Sequence, residues 1–411
     1  MKDGGRISAA AEILGEVEAR RRPANLVVQE WGKTHRFAGS GDRAWISGLV
    51  LDVLRKRRSL AWRMGDESVR AACLGALRFE WGWSVDRISE ACGDAPHGPG
   101  PLGRDEMERL IKPRDLANAP APVRGDYPDW LDASLARTFG EARAGEMAAL
   151  TTRAPVDLRV NTLKATPDEV LAALEAMAPH PAGRLATTLR IDAPTADLRV
   201  APVEAHPAFA RGMFEVQDAG SQIAASMAGD IAGKKVLDLC AGGGGKTLAL
   251  AAIMNNTGKL YAFDADPRRM RDIIPRAERA GVTNLDVRTP LDKDPLKDLA
   301  GAMDLVFVDA PCTGSGVWRR HPDTKWKLKP DTLQRRMAEQ DGVLDQAAGL
   351  VKPGGRIVYV TCSLLAEEDE DRVEAFFARH PGFSWRGDMV RLTPLKDGTD
   401  GFFAAVIERG K

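Results

Sequence analysis

The chain contains no long apolar run. None of its 411 residues falls in a segment that approaches the roughly 20 uninterrupted apolar residues of a membrane-spanning helix. The first residues, Met1 to Arg6, contain no apolar signal-peptide core before the charged Arg20-Arg21-Arg22. Hydrophobic residues make up 44% of the composition and aromatic residues only 6%, which is typical of soluble globular proteins. We therefore expect a cytoplasmic protein that makes no membrane contact.

Cysteine is scarce and scattered. The five cysteines are odd in number, form no Cys-x-x-Cys pair and have no histidine pair at zinc spacing nearby. This pattern argues against a disulfide framework and against a structural metal site. It leaves open a catalytic use of individual thiols. The cysteines are Cys73, Cys92, Cys240, Cys312 and Cys362.

The chain also lacks a net charge, because 58 Lys and Arg residues balance 58 Asp and Glu residues. Coating nucleic acid by bulk electrostatic attraction is therefore not expected. Local basic clusters do occur, for example at Arg55 to Arg58, Arg319-Arg320 and Lys325 to Lys329. Each cluster taken alone is more often a solvated surface than a binding site.

Apolar spacing predicts two different domains in the first half of the chain. Ile7 to Arg22 and Gly41 to Arg58 carry apolar residues at helical spacing, so an all-helical domain is expected over residues 1–125. Short mixed elements follow. A strand at Val156 to Asn161 and a helix started by the capping pattern of Thr166 to Glu169 predict a small α/β subdomain over residues 126–211.

From residue 212 to 411, strand-like and helix-like segments alternate. This alternation predicts an α/β domain with a doubly wound, mostly parallel, Rossmann-like sheet. The predicted strands are Lys235 to Leu239, Lys259 to Phe263, Leu305 to Val308 and Arg356 to Val360.

A glycine-rich turn follows the first of these strands. Gly242 to Gly245 let the backbone approach a ligand closely, and the next strand ends at Asp264, which could accept hydrogen bonds from a ribose. This combination fits a dinucleotide or S-adenosylmethionine. Lys246-Thr247 resembles the end of a nucleoside triphosphate loop, but the first glycine of that loop would fall at Cys240, so the spacing excludes it.

Two cysteines follow strand-like segments. Cys312 lies in Asp309-Ala310-Pro311-Cys312, and Cys362 lies in Thr361-Cys362-Ser363. Both should lie at the carboxyl edge of the sheet, where open α/β sheets bind ligands. Methylation of a cytosine at C5 needs a nucleophile at C6, a base for the C5 proton and an acid near N3. Two thiols beside Asp309 would supply these parts, although an isolated cysteine here would more often be a buried strand end.

These motifs together resemble the RsmB/Nop/Sun family of RNA cytosine-5 methyltransferases. The matching segments are Asp238 to Ala241 with Gly244 to Thr247, Asp309 to Cys312, His321-Pro322-Asp323, Thr361-Cys362-Ser363, Arg159 to Lys164 and Gln217 to Gln222. The resemblance covers the chain from about Tyr127 to its last residue.

The resemblance implies a role for each matching residue. Cys362 would attack C6, Cys312 would assist release of the methylated product, and Asp309 would hydrogen-bond the cytosine. DNA cytosine methyltransferases instead attack from the Pro-Cys position, so the Thr-Cys-Ser frame favours RNA. The residues expected to bind S-adenosylmethionine are Cys240, Ala241, Gly242, Gly243, Gly244, Gly245, Lys246, Asp264, Asp292 and Asp309, with Asp286 as the alternative to Asp292.

The chain departs from the family pattern in three places. Gly242-Gly243 replaces the usual Ala-Pro of the cofactor turn, which loosens the unfolded chain and the turn. The acid after the third strand does not align cleanly. After Cys362, Ala366 and Asp369 stand where the family commonly has Pro and Asn.

The helical amino-terminal domain bears on the substrate. It resembles the NusB-like RNA-binding domain of the ribosomal RNA member of the family, with a simple helical cap as the alternative. We expect a monomer that binds RNA, without metal, and methylates small-subunit ribosomal RNA; a transfer RNA substrate and a non-catalytic ribosome-assembly factor are the alternatives. Arg319, Arg320, Lys325 and Lys327 are the expected phosphate contacts.

Overall fold

The computed structural model describes residues 1–193 and 202–411. Its helices, in chain order, are α1 Asp3–Arg20, α2 Ala24–Thr34, α3 Ser40–Arg55, α4 Arg57–Met64, α5 Val69–Phe79, α6 Val85–Cys92, α7 Arg104–Ile111, α8 Ala121–Arg124, α9 Asp132–Phe139, α10 Arg143–Ala149, α11 Pro167–Ala173, α12 Pro207–Ala210, α13 Ala219–Ser226, α14 Gly245–Ile253, α15 Ile273–Ala280, α16 Pro322–Lys327, α17 Pro330–Leu350, α18 Glu370–Arg379 and α19 Pro394–Asp397.

The strands are β1 Val156–Val160, β2 His180–Pro181, β3 Thr188–Ile191, β4 Phe214–Val216, β5 Lys235–Asp238, β6 Lys259–Phe263, β7 Leu285–Arg288, β8 Met303–Asp309, β9 Val351–Thr361, β10 Phe383–Trp385, β11 Val390–Leu392 and β12 Phe402–Arg409. Among the described helices, none is both long enough and apolar enough to cross a bilayer.

The chain folds into two compact units. The first comprises Met1–Arg153 and Trp318–Leu328, and the second comprises Ala154–Ala193, 202–317 and Lys329–Lys411. The first unit thus extends beyond residue 125, where the sequence placed a boundary. Asp126 explains part of this extension, because its buried carboxylate accepts hydrogen bonds from the backbone N–H groups of Arg58 and Ser59 at the start of α4.

The first unit is helical, as its apolar spacing predicts. In α5 the side chains of Ala72, Cys73, Ala76 and Leu77 are fully buried, and Ser68 caps the helix by accepting a hydrogen bond from the Ala71 N–H. A capping hydroxyl satisfies a donor that the helix itself leaves unpaired. The apolar face of this helix is therefore part of the core.

In the second unit, the strands that follow residue 230 form one mostly parallel sheet in the order β10-β12-β9-β8-β5-β6-β7, and β11 also pairs with β12. The central pairs are parallel, whereas β12 runs antiparallel to β9. Buried apolar side chains cover both faces of this sheet. The predicted doubly wound, Rossmann-like fold is confirmed.

A second, antiparallel sheet in the same unit has the strand order β2-β3-β1-β4. Asn161, just after β1, connects this sheet to α15, because its Nδ2 donates to the Ala280 carbonyl at 2.8 Å and to the Gly212 carbonyl at 2.8 Å. Gly212 has φ +74°, and a Cβ there would lie 2.0 Å from the Arg279 carbonyl oxygen. The asparagine of the upstream motif therefore has a packing role.

Candidate active site

The two thiols predicted at the sheet edge lie in contact. Strands β8 and β9 are parallel neighbours in which Asp309 pairs with Val360, so both strands end at the same edge. The Ala310 N–H donates to the Val360 carbonyl at 2.8 Å and carries the pairing into the loop that holds Cys312. Cys312 Sγ and Cys362 Sγ are 3.3 Å apart.

The surroundings of the Cys312 thiol favour its protonated form. The hydrogen bond with Cys362 and burial together hold the pKa of the Cys312 thiol well above its usual value, and the charges of Cys362 and Glu368 act in the same direction. Cys312 therefore remains protonated at neutral pH and can donate a hydrogen bond to its neighbour.

The other cysteines are poor nucleophiles. Burial raises the pKa of Cys73 to about 12 and that of Cys92 to about 11, and both lie in the helical unit. Burial also raises the pKa of Cys240 at the start of the glycine turn. A thiol that stays protonated neither attacks carbon nor binds metal readily, so Cys73, Cys92 and Cys240 are not favoured as nucleophiles.

An ion pair stands at the same edge. Lys246 Nζ, in the first turn of α14, donates to Asp309 Oδ2 at 2.7 Å. Burial lowers the pKa of Lys246, but the charge of Asp309 and the hydrogen bond to it raise the pKa further, so the net shift is upward. The amine therefore stays charged and orients the carboxylate, of which about a third remains exposed. The sequence motif predicts Lys246 in the cofactor turn but does not predict this pairing.

The glycine turn requires its glycines. Gly242 has φ +50° and Gly244 has φ +87°, in the left-handed region that L-residues rarely adopt. A Cβ on Gly244 would lie 2.7 Å from Ile273 Cγ1. The turn thus brings bare backbone to the amino terminus of α14, where free N–H groups favour electron-rich ligand atoms.

Asp264 supports the turn from the end of β6. Its buried carboxylate accepts hydrogen bonds from the Gly242 N–H at 3.0 Å and the Asp266 N–H at 2.9 Å, and Arg269 lies 3.0 Å away. Asp238, at the end of β5, accepts from the Thr247 hydroxyl through Oδ2, whereas its buried Oδ1 has no hydrogen-bond partner within the described ranges. Burial raises the pKa of Asp238 to about 7.

Two further predicted cofactor residues lie in or just after β7. Asp292 is exposed, four residues beyond the end of β7, and Asp286 lies within β7, where it pairs with Arg288 at 3.3 Å. The place of either carboxylate in a cofactor site stays a prediction.

The four predicted phosphate contacts lie in the helical unit. Arg319 and Lys325 are 4% and 2% exposed, and Lys325 Nζ donates to the Arg55 carbonyl at 2.9 Å. Lys327 pairs with Asp323 at 2.5 Å, and Arg320 is half-buried. The buried positions of Arg319 and Lys325 do not support the phosphate contacts expected of them, because a buried donor bound to the protein is not available to RNA.

The sequence motifs do not single out Glu368. This fully buried carboxylate accepts hydrogen bonds from Thr313, next to Cys312, and from Ser363, next to Cys362. Its position shortly after the Thr-Cys-Ser motif was the only available signal. Within the described residues, no group of three or more His, Cys, Asp or Glu side chains is arranged to hold a metal ion.

Comparison with protein-family models gives two matches. Residues 230–408 match the model described as 16S rRNA methyltransferase RsmB/F. Residues 127–196 match the model of the ferredoxin-like domain of RsmF/B-like methyltransferases.

The chain spans about two thirds of the length of the curated relatives that it matches. The chain is 34% identical to the ribosomal RNA small subunit methyltransferase B of Salmonella typhi over 304 residues, which cover 71% of this chain and 68% of the relative. It is 33% identical to the protein of the same name from Vibrio cholerae over 296 residues, which cover 70% of this chain and 66% of the relative.

Two solved structures share the fold. The protein PH0851 superposes with a TM-score of 0.73 at 27% identity, covering 99% of this chain and 98% of PH0851. NSun6 from Pyrococcus horikoshii, solved with SFG, has a TM-score of 0.61 at 22% identity, covering 69% of this chain and 98% of NSun6.

Proposed function

The chain belongs to the RsmB/F methyltransferase family, and from this premise we propose that it transfers a methyl group from S-adenosylmethionine to C5 of a cytosine in small-subunit ribosomal RNA. The observation that carries the chemistry is the pair of thiols at 3.3 Å beside the Lys246–Asp309 ion pair. The names of the relatives from Salmonella typhi and Vibrio cholerae, both small subunit ribosomal RNA methyltransferases, support the substrate class.

The residues at the glycine turn fit an adenosyl cofactor. Gly242 and Gly244 give the turn the left-handed backbone that leads into the amino terminus of α14. Asp264 stands at a strand end where a ribose would need acceptors, and Asp238 Oδ1 is an acceptor without a partner among the described residues. The turn from Cys240 to Lys246 together with Asp264 would hold the cofactor. When bound, S-adenosylmethionine supplies an electrophilic methyl group.

Cys362 performs the first step on the base. Its thiolate attacks C6 of the cytosine, a carbon–sulfur bond forms, and the electron pair of the C5–C6 double bond makes C5 nucleophilic. Asp309, oriented by Lys246, binds the cytosine ring and favours this activated form. The target base must leave its stack to reach the thiol, which costs a few kcal/mol and is easiest in unpaired RNA.

Cys312 performs the release step after methylation. The hydrogen bond with Cys362 and the charge of Cys362 both hold the pKa of Cys312 high. Formation of the Cys362–C6 bond removes these two effects and so lowers the pKa of Cys312, which favours loss of its proton to solvent. The Cys312 thiolate takes the proton from C5, the carbon–sulfur bond breaks, and the C5–C6 double bond re-forms with Cys362 leaving as thiolate.

Covalent trapping tests the proposal. RNA carrying 5-fluorocytidine blocks the release step, because the fluorine at C5 cannot leave as a proton, so the wild type should form a denaturation-resistant adduct. Cys362→Ala should form no adduct, whereas Cys312→Ala should accumulate one even with unmodified RNA. Cys73→Ala, a buried thiol in the helical unit, serves as the matched control.

Comparison of RNA substrates tests the proposed specificity. Fragments of small-subunit ribosomal RNA should form the adduct, and transfer RNA should not. An adduct lost with Cys312→Ala instead of Cys362→Ala would reverse the two roles. Absence of any adduct with ribosomal RNA fragments would contradict the proposed function.

A further inference from the structure

Glu368 is a fully buried carboxylate surrounded by hydrogen-bond donors. The residue is 0% exposed, and no cationic side chain of the described ranges forms an ion pair with it. Burial raises its pKa, and four hydrogen-bond donors oppose that shift. An unpaired buried carboxylate is costly compared with an apolar side chain. We therefore expect the Glu368 carboxylate to make interactions that an apolar side chain at this position could not make.

The donors to Glu368 come from three places. The Thr313 N–H donates to Oε1 at 2.8 Å and the Thr313 hydroxyl donates to Oε2, so the loop after β8 is bound twice. The Ser363 hydroxyl donates to Oε2 at 2.6 Å from the loop after β9, and Gln340 Nε2 donates to Oε1 at 3.0 Å from α17. An ionised carboxylate has about four acceptor positions, and these donors match that number.

The positions of these donors connect Glu368 to the thiols. Thr313 directly follows Cys312, and Ser363 directly follows Cys362. One side chain thus binds the residue next to each sulfur. The Tyr359 hydroxyl fixes Glu368 in turn by donating to its backbone carbonyl at 2.6 Å.

We propose that Glu368 is a positioning residue whose carboxylate holds the Cys312 loop and the Cys362 loop in the register that brings the two sulfur atoms together. Its significance for catalysis rests on the proposed function. Its effect on thiol geometry does not. A carboxylate suits this task because each of its oxygens accepts two hydrogen bonds, whereas an amide offers one accepting oxygen.

Oxidative coupling of the thiols tests the geometry without RNA or cofactor. Diamide takes two hydrogen atoms from Cys312 and Cys362 and becomes the hydrazine, and the two sulfurs form a disulfide that peptide mass spectrometry detects. We expect coupling in Glu368→Ala to be at least about 10-fold slower than in the wild type, with Glu368→Gln intermediate. Glu370→Gln is the control. Glu370 lies two residues after Glu368 and pairs with Arg391 of β11, so its replacement removes an ion pair without changing a contact to either loop.

Each result has a defined meaning. Coupling at the wild-type rate in a folded Glu368→Ala protein overturns the proposal. Thermal melting identifies a misfolded Glu368→Ala protein, in which case Glu368→Gln decides by the same criterion. With RNA, Glu368→Gln should lower kcat at least about 10-fold and leave KM for S-adenosylmethionine within about 2-fold; a change in KM alone would also overturn it. Slowed coupling together with no adduct in the wild type would refute the proposed function and leave the positioning role standing.

Discussion

Replacement of Lys325 by methionine should change the pH dependence of stability. Lys325 is 2% exposed in α16, and its amine donates to the Arg55 carbonyl. Burial lowers the pKa of Lys325 from the ordinary 10.5 to about 8, and the buried Asp126 offsets only part of that effect. Below both values the folded and unfolded states are both protonated, so the folded state carries the full cost of burying the charge.

The magnitude follows from the two pKa values. Between pH 8 and pH 10.5 the unfolded state binds more protons than the folded state, so the free energy of unfolding rises with pH. At about 1.4 kcal/mol per pKa unit, the wild type should gain roughly 2–3 kcal/mol relative to Lys325→Met between about pH 7 and about pH 10. The methionine variant also leaves the Arg55 carbonyl without its donor, which costs about 1–3 kcal/mol at every pH.

Urea unfolding of both proteins at the two pH values gives the measurement. Lys327→Met is the control, because Lys327 is on the same helix but pairs with Asp323 and is about a quarter exposed. Parallel pH profiles of the wild type and Lys325→Met would refute the reasoning. RNA binding gives a second readout: a residue that contacts a phosphate lowers the salt slope by about one when replaced. We expect no change in slope for Lys325→Met, and a loss of one unit would restore Lys325 as a phosphate contact.

Three further predictions concern the second unit. Mild oxidation with diamide should reduce the number of free thiols from five to three by joining Cys312 to Cys362, since the sulfurs are 3.3 Å apart, and thiol titration of the denatured protein would count them. Asp309→Asn should lower methyl transfer at least about 100-fold by removing the partner of the buried Lys246, measured with radiolabelled cofactor; activity within about 3-fold of wild type would contradict this role. Asp264→Ala should weaken S-adenosylmethionine binding at least about 10-fold in calorimetry, because it also releases the Gly242 N–H; unchanged affinity would argue against a ribose contact.

The regular elements were predictable because their signals are local. The capping pattern at Thr166 forms as expected, with the Glu169 N–H donating to the Thr166 hydroxyl and the Thr166 N–H donating to the Glu169 carboxylate. Such signals depend on residues within one turn of a helix. The extent of the first unit was less predictable, because Trp318–Leu328 belongs to it although Trp318 lies 165 positions beyond Arg153. The residues of a short segment do not by themselves predict which distant part of the chain the segment packs against.

In the candidate site, too, the features encoded by local sequence were predictable, and those that depend on tertiary contacts were not. Cys312 and Cys362 could be placed at one sheet edge, because each follows a strand and parallel strands end together. The pairing of Lys246 with Asp309 depends on β5 and β8 being neighbours, and Glu368 depends on how the chain turns back after β9. The role of a basic residue is the hardest to predict from sequence. Lys325 lies in a basic segment typical of a phosphate contact, but its side chain is as buried as that of a core residue.

The departure at the cofactor turn has a structural compensation. Gly242 and Gly243 replace residues that would restrict the unfolded chain, so the turn costs more conformational entropy to order. Two arginines oppose this cost. Arg276 on α15 donates to the Gly243 carbonyl and is itself held by Glu215 at 2.9 Å, and Arg269 pairs with Asp264, which accepts from the Gly242 N–H. The left-handed φ of Gly242 also suits glycine better than alanine. Hydrogen bonds from outside the turn thus supply the order that a stiffer sequence would supply from within, and the turn keeps the backbone access that a cofactor needs.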